Sequence, residues 1–355
     1  MTLRLARAPF ALAALLAGVQ ALAAGPSTSV VVSGAVDHPK TWTAATLQAL
    51  PALTQTDTFA SGSTPQTHTY TGPTLWSVLD ASGIQTAPGV KNDLLDRYVL
   101  ATGTDGYKVV YSLGELSPAF GNRAALLATQ ETIAGKTAPL TGDGLARVTA
   151  PGDVKGGRYV SNLASLSVRA SGSTTVGTGG GPSTQFKVDG AVAHAQAFDL
   201  AALKALPAIT ETVGGTTWTG VSLWDLLSTT AGIVTDPAVK NDILDKYVVA
   251  TGSDGYKALI SLGEIDPAFG NQPDLVAYEA NGQPLDANGF ARLVVPGNLK
   301  AGRWVSNLVD LQVFSATPVP EPASLALLLA GLGVLAGVTR TRASRQAPAR
   351  TETAR

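Results

Sequence analysis

Residues 240–271 read KNDILDKYVVATGSDGYKALISLGEIDPAFGN, and residues 91–122 read KNDLLDRYVLATGTDGYKVVYSLGELSPAFGN. The two stretches are identical at 23 of 32 positions. In each, two runs rich in Val, Tyr, Leu and Ala flank an Asp-Gly pair, a strong signal for a β-hairpin. The chain therefore contains the same strand–turn–strand unit twice.

The repetition extends beyond this stretch, because residues 47–54 resemble 203–210 and residues 151–163 resemble 296–308. The period is near 150 residues, which is far too long for a solenoid repeat and long enough for a domain with its own core. The first copy also carries small insertions near Phe59–His68 and Thr132–Ala138, which we expect in surface loops.

These matches predict the domain organisation of the chain. We expect one domain at 27–169 and its duplicate at 185–315. Residues 170–184, ASGSTTVGTGGGPST, are rich in Gly, Ser and Thr without an apolar pattern, which predicts a flexible linker.

The local patterns predict an α+β fold, with two tandem mixed domains rich in strands and hairpins. Thr43, Asp199 and Ser222 each precede a short apolar-periodic run and are expected to cap helices at 44–50, 200–206 and 223–230. Asn281-Gly282 predicts a second hairpin turn in the duplicate.

Both ends of the chain carry export signals. Arg4 and Arg7 precede an apolar run at 8–19, and Ala21-Leu22-Ala23 supplies a small-x-small pattern, so residues 1–24 are predicted to be a signal peptide cleaved near Ala23. At the other end, Pro320-Glu321-Pro322 precedes an apolar run at 323–338 and five arginines. That run is slightly shorter than the roughly 20 residues that span a bilayer, and its arginines favour a cytoplasmic end.

The Pro320-Glu321-Pro322 motif, short apolar helix and arginine cluster at 318–345 together resemble the PEP-CTERM sorting signal of Gram-negative bacteria. The resemblance implies an exosortase-type sorting protease and the inner membrane as partners during export. It also implies transient anchoring by a single C-terminal membrane helix, followed by release to the cell surface or the medium. A plain tail anchor is the alternative.

Composition excludes several kinds of site. The chain contains no cysteine, which excludes disulfides, thiolate metal ligands and cysteine nucleophiles. Residues 25–317 hold 18 Lys+Arg and 24 Asp+Glu, so the body is acidic, and nothing in it forms the basic stripe that nucleic acid requires.

A further resemblance rests on motifs in the second copy: Trp218-Thr-Gly, Asn281-Gly-Gln-Pro-Leu, Arg292-Leu-Val-Val-Pro-Gly and Gly302-Arg-Trp-Val. Together they resemble the molybdopterin-binding domain of the sulfite-oxidase type. The resemblance implies molybdopterin as a cofactor, with a basic pair holding its phosphate. It assigns cofactor contacts to Arg303, Lys300, Arg292 and Trp218. The alternative for the basic pair is a solvated turn with ordinary surface charge.

That family uses one cysteine to bind molybdenum, expected near residues 210–215, where this chain has none. We therefore predict no catalytic or metal site, and an exported, surface-sorted binding or structural protein, with an extracellular matrix or a small molecule as its partner. Two alternatives stay open. One is an oxidoreductase-like protein that keeps molybdopterin without the cysteine. The other is a small-molecule binder that reuses the cofactor cleft of the second copy.

The remaining polar candidates have simpler interpretations. Asp93 and Asp96, repeated as Asp242 and Asp245, could share a calcium ion but are expected to form a capped turn. Glu115 and Glu264 have no histidine or second acid at a fixed spacing, and the histidines are too scattered to form a metal site.

Overall fold

The structure is a computed structural model, and it describes residues 25–317. We call residues 25–170 the first half and residues 185–315 the second half. In the first half the strands β1 to β11 are Val30–Gly34, Lys40–Trp42, Ala52–Ser61, Thr64–Pro73, Arg97–Gly103, Lys108–Ser112, Leu127–Ala128, Gln130–Ile133, Lys136–Pro139, Arg147–Val148 and Leu163–Ala170. Its helices α1 to α3 are Ala44–Gln48, Leu75–Asp80 and Leu113–Leu116, with 3-10 turns at Asp93–Asp96 and Gly156–Arg158.

The second half repeats this order with fewer strands. Strands β12 to β21 are Gln185–Gly190, Gln196–Asp199, Ile209–Val213, Thr216–Ser222, Lys246–Gly252, Lys257–Ser261, Leu275–Ala280, Gln283–Pro284, Arg292–Val294 and Leu308–Ser315. Helices α4 to α6 are Leu200–Lys204, Leu223–Asp225 and Leu262–Ile265, a π-helix follows at Leu226–Ala231, and 3-10 turns lie at Asp242–Asp245, Asp286–Asn288 and Ala301–Arg303.

The main sheet has the same strand order in both halves. It is β2-β1-β11-β5-β6 in the first and β13-β12-β21-β16-β17 in the second. The pairs β1–β11 and β12–β21 are parallel. A second layer is formed by β3-β4-β8-β9 with the separate pair β10-β7, and in the second half by β14-β15-β18-β19 with β20 beside β18. The strand-rich mixed α/β architecture agrees with the predicted fold class.

The predicted turns are present. Asp254-Gly255 connects β16 to β17, and Asn281 and Gly282 take φ of 51° and 72°, the left-handed values that a tight hairpin turn requires. Asn-Gly suits this turn because Gly lacks a Cβ and Asn tolerates the left-handed region better than most residues.

The predicted helix caps are also present, although the helices are shorter than expected. Thr43 accepts a hydrogen bond from Thr46 N, Asp199 from Ala202 N at 2.8 Å, and Ser222 from Asp225 N at 3.2 Å. The helix expected at 223–230 is α only over Leu223–Asp225 and continues as a π-helix to Ala231, where Gly232 ends it at φ 71°.

Each half has its own apolar core between its main sheet and its helices. Val32, Leu79 and Leu166 are fully buried in the first core, and Val188, Leu227 and Leu311 in the second. The first cluster includes Leu244 and Phe269 of the second half, so apolar packing continues across the boundary between the halves.

The linker differs from the prediction of a flexible segment. Ser171 N donates to Asp96 O at 2.9 Å, and Ser171 O accepts from Tyr247 Oη at 2.6 Å. Further along, Thr175 Oγ1 donates to Asp310 at 3.0 Å and Gly181 O accepts from Ser253 Oγ. Composition alone predicted flexibility, but these side chains and backbone groups hold the segment against both halves.

The insertion near 59–68 also differs from the expected surface loop. It lengthens the hairpin β3–β4 to ten residues on each strand, whereas its counterparts β14 and β15 have five and seven. The predicted signal peptide at 1–24 and the sorting signal with its membrane helix at 318–345 lie outside the described residues. Within residues 25–317, no helix is long and apolar enough to cross a bilayer.

Candidate functional site

A buried charged cluster lies where the two halves meet. In the first half, Arg158 is 1% exposed, and its guanidinium donates to Asp153 twice, at 2.8 and 2.9 Å, and to Glu115 at 2.9 Å. A buried guanidinium requires this many acceptors, because each N–H left without a partner carries a desolvation penalty.

Arg303 takes the equivalent place in the second half. Its guanidinium is 2% exposed, forms an ion pair with Glu264 at 2.8 Å, and donates to Asn298 Oδ1 at 2.6 Å. Asn298 replaces Asp153, so Arg303 has one carboxylate in direct contact where Arg158 has two. We call Glu115, Arg158, Asp153, Glu264, Arg303 and Asn298 the joint.

Contacts across the joint come in matched pairs. Ser261 Oγ donates to Glu115 Oε2 at 3.0 Å, and Asn92 Nδ2 donates to Tyr256 Oη at 2.9 Å. The equivalent amide of Asn241 donates to Tyr107 Oη at 2.8 Å. Equivalent residues thus exchange contacts, as at the interface of a two-fold symmetric dimer.

Two glycines allow the halves to approach this closely. A Cβ on Gly114 would lie 2.4 Å from Cδ of Arg303, and one on Gly263 would lie 2.7 Å from Cδ of Arg158. Each arginine stem therefore packs directly on the backbone of the opposite half.

The joint perturbs the pKa of its carboxyls in opposite directions. Burial raises the pKa of Glu115, and the nearby Glu264 raises it further against the pull of Arg158. Burial would also raise the pKa of Glu264, but Arg303 and a hydrogen bond from Glu115 together lower it. Asp153 also balances the charge of Arg158, whereas Arg303 has Glu264 as its contacting carboxylate, and this difference agrees with the opposite directions of the two shifts.

Asp274 lies in the same electrostatic environment. It is 2% exposed, and neither carboxylate oxygen makes a hydrogen bond to the described residues. Burial, followed by repulsion from Glu264, raises its pKa to about 8. The equivalent residue of the first half is Ala125.

The four residues assigned to a cofactor by resemblance do not form one cluster. Arg292 and Trp218 lie together, because the guanidinium is 5.4 Å from the Trp218 ring and 5.3 Å from that of Trp304. Lys300 is exposed. Arg303 is neither a surface charge nor open to a phosphate, since Glu264 and Asn298 occupy its donors.

Molybdopterin chemistry does not fit the residues at this place. Where a thiolate would bind the metal, β14 presents Thr210, Glu211 and Thr212 on an exposed hairpin. In residues 25–317, no group of three or more His, Asp or Glu side chains is arranged to hold a metal ion. The described second half therefore offers no thiolate for the metal, and Arg303 is not free to contact a phosphate.

The Asp-x-x-Asp motifs form 3-10 turns without the expected side-chain cap. Asp93 Oδ2 instead accepts from Ala87 N at 2.8 Å and pairs with Arg97, and Asp242 Oδ2 accepts from Asp236 N and pairs with Lys246. These carboxylates therefore tie the preceding segment to the turn.

A cleft of about 750 Å³ opens in the first half beside the joint. The lengthened hairpin β3–β4 supplies one side through residues 59–62, 66 and 68, and the segment 155–162 supplies another. Lys240, Asn241, Ala268 and Phe269 of the second half complete it. One of the alternatives from the sequence placed a small-molecule cleft in the second copy, and this cleft lies in the first half.

One wall of this cleft is aromatic. The Phe59 ring packs on that of Tyr159 with centroids 4.1 Å apart, and His68 stacks between Phe59 and Tyr70 at 5.5 Å from each. His68 Nδ1 lies 2.6 Å from Glu131 Oε1, which fixes the ring plane. Sequence reasoning missed these residues, although the insertion at 59–68 was a signal that the first half differs here.

Two family models match this chain, one over most of the second half and one over the C-terminal tail. Residues 209–319 match the family model for the oxidoreductase molybdopterin binding domain. The second half carries this domain's signature. The PEP-CTERM protein-sorting motif matches residues 318–343, which implies export and processing by an exosortase-type enzyme. Both resemblances noted in the sequence are therefore confirmed, with the domain match confined to the second half.

Among solved structures, the sulfane dehydrogenase SoxCD from Paracoccus pantotrophus is similar at 12% identity with a TM-score of 0.32. The alignment covers 79% of this chain and 77% of that one. No curated protein matches the chain.

Proposed function

We propose that this protein is an exported, surface-sorted binding protein, built on a duplicated molybdopterin-domain fold and not active in redox catalysis. The two domains are assigned to 27–169 and 185–315, with the linker at 170–184. The membrane helix in the tail anchors the chain only until an exosortase-type protease acts near Pro320-Glu321-Pro322.

The observation that carries this proposal is the burial of Arg303. Its guanidinium is held by Glu264 and Asn298 and packs on Gly114 of the first half. An arginine in this environment cannot turn toward a phosphate without leaving Glu264 buried and unpaired, at a cost of about 3–5 kcal/mol. The residue that would hold a cofactor instead holds the two halves together.

The chemistry of the chain supports the same conclusion. It has no thiolate anywhere, so the usual protein–molybdenum bond has no donor. The family match supports the fold of the second half, and fold alone does not establish activity.

Thermal unfolding of the exported chain tests the proposal. The protein should be purified from a molybdopterin-producing Gram-negative host grown with and without molybdate. A ligand bound only to the folded state raises stability, by about 2.7 kcal/mol at 100 times its Kd. We expect the same melting temperature from both cultures. A higher value from the molybdate-fed culture would argue against the proposal.

The alternative, a molybdopterin protein without the cysteine, is favoured by one feature. Arg292 Nε is buried and makes no hydrogen bond to the described residues, so it could donate to a ligand. This alternative requires Lys300 and Arg292 to matter for cofactor content. Unchanged cofactor content in a Lys300→Ala, Arg292→Ala variant would count against it.

A further inference from the structure

We propose that the cleft of the first half binds a flat organic anion, an aromatic ring carrying a carboxylate or phosphate group. The inference rests on the proposed function, because it specifies what the binding protein binds. It places the site in the first half, whereas the family model matches residues 209–319.

The aromatic wall supplies the surface for a ring. Phe59, His68 and Tyr159 all line the cleft, and the ring planes of Phe59 and His68 differ by 15°. Phe59 and Tyr159 are 6% and 4% exposed, and the His68 side chain keeps 27% of its surface open. A ligand ring would therefore meet the edges of this stack, an arrangement that aromatic pairs favour.

Three cations line the same cleft. Arg147 forms one wall, and Lys155 and Lys240 approach from the first and second halves. Neither lysine forms an ion pair with a residue in the described part of the chain. Asp105 is the carboxylate among the described lining residues, and it accepts from Tyr107 N at 3.0 Å. Asp143 pairs with Arg147 at 2.9 Å and Glu131 with His68 at 2.6 Å, so the positive charge available in the cleft comes from Lys155 and Lys240.

Arg147 is held in the wall of the cleft by its neighbours. One nitrogen, Nη1, donates to Tyr70 Oη and to Asp143, both at 2.9 Å, which fixes the guanidinium plane. Its Nε is buried, like that of the equivalent Arg292, and neither makes a hydrogen bond to the described residues. The exposed Lys155 and Lys240 are therefore the groups that an anion in the cleft would meet.

The second half provides a natural comparison. Lys300, Arg292 and Trp304 correspond to Lys155, Arg147 and Tyr159 in the repeat. Its hairpin β14–β15 is shorter, so nothing in the described second half corresponds to the wall that carries Phe59. The hairpin extension therefore distinguishes the two halves, and a ligand that needs the aromatic wall should bind only the first.

Isothermal titration calorimetry with four probes tests the proposal on the exported chain. 1-Naphthyl phosphate has both the ring and the anion, 1-naphthol has the ring alone, and inorganic phosphate has the anion alone. 1-Naphthoate distinguishes a carboxylate site from a phosphate site. We expect 1-naphthyl phosphate or 1-naphthoate to bind, and the two partial probes to bind at least tenfold more weakly. Equal binding of inorganic phosphate, or no binding of either complete probe, would overturn the proposal.

Matched variants locate the site. Lys155→Ala with Lys240→Ala should weaken the complete probe by about tenfold or more, since two cations are lost. The control is Lys300→Ala with Lys91→Ala, the equivalent pair around the second half, which should bind as the parent does. Equal weakening in both double variants would contradict the assignment. All four positions are exposed lysines, so unfolding temperatures should not change.

The outcomes separate this proposal from the proposed function. Absence of probe binding in a protein that also lacks molybdenum would reject the ligand class and leave the binding-protein assignment standing. Molybdenum retained in the purified chain would reject the assignment itself.

Discussion

Glu115 and Glu264 occupy the same position in the two halves, yet their pKa values are shifted in opposite directions. They meet in the joint, where Ser261 Oγ donates to Glu115 at 3.0 Å and each glutamate contacts the arginine of its own half. One difference between the repeats, Asp153 against Asn298, accounts for the opposite directions. Asp153 balances Arg158, so Glu115 can stay neutral, whereas Arg303 needs Glu264 as its anion.

The joint should make stability depend on pH. Between about pH 5 and 8 the unfolded chain has released the protons of Glu115 and Asp274, while the folded chain retains them because both pKa values are raised. Stability from these groups is therefore greatest at the acidic end and is lost as pH rises through the folded pKa. We expect the free energy of unfolding to fall steadily as pH rises across this window.

Denaturant unfolding at pH 5, 6.5 and 8 would measure this change. The Glu115→Gln variant mimics the protonated side chain and should show a shallower dependence. A free energy of unfolding that rises steadily from pH 5 to pH 8 would contradict the raised pKa values of Glu115 and Asp274.

Replacing each of the two glutamates by glutamine should have unequal effects on stability. Glu115→Gln keeps an acceptor for Arg158, whose charge Asp153 still balances, so we expect a loss below about 1 kcal/mol. Glu264→Gln leaves the Arg303 charge buried without its contacting carboxylate, and breaking such a pair costs about 3–5 kcal/mol. Chemical denaturation of both variants at pH 7 gives the comparison, and equal losses would show that the asymmetry of the joint is unimportant.

The close approach at Gly114 predicts a steric effect. In Gly114→Ala the new methyl group would lie 2.4 Å from Cδ of Arg303, which has no free space to move because it is buried. We expect a destabilisation of about 1–3 kcal/mol, typical of overpacking. Gly297→Ala is the control, since its nearest neighbour is the end of the Gln272 side chain at 3.0 Å. Similar melting temperatures for the two variants would refute the tight packing at Gly114.

Asp274 should be dispensable for stability at alkaline pH. Its carboxylate is buried without hydrogen-bond partners among the described residues, and its repeat counterpart is Ala125. Asp274→Ala should raise the melting temperature at pH 9, where the acid must ionise in the interior, and change it little at pH 5. A lower melting temperature at pH 9 would mean that the carboxylate has a stabilising partner.

Local features were predictable from the sequence and the joint was not. The turn at Asn281-Gly282 and the helix cap at Asp199 depend on residues within a few positions of each other, so the local sequence predicts both. Arg303 was expected either in a cofactor site or on the surface. Its burial depends on Glu264, 39 residues away, and on Gly114 in the other half, which no local pattern reveals.

The cleft was missed for a similar reason. The insertion at 59–68 was expected to be a loop, but the alternation of Thr56, Thr58, Thr67 and Thr69 on one face and Phe59 on the other extends a hairpin instead. Its role as a wall appears only when segment 155–162 and the second half are placed beside it.

The most direct test of the central claim is the metal and pterin content of the exported chain. Residues 25–317, matured through export in a molybdenum-competent Gram-negative host, should be analysed for molybdenum and tungsten and assayed for pterin fluorescence. The binding-protein account predicts neither metal nor pterin. Close to one metal and one pterin per chain would contradict it and would show that the second half keeps a cofactor through ligands other than cysteine.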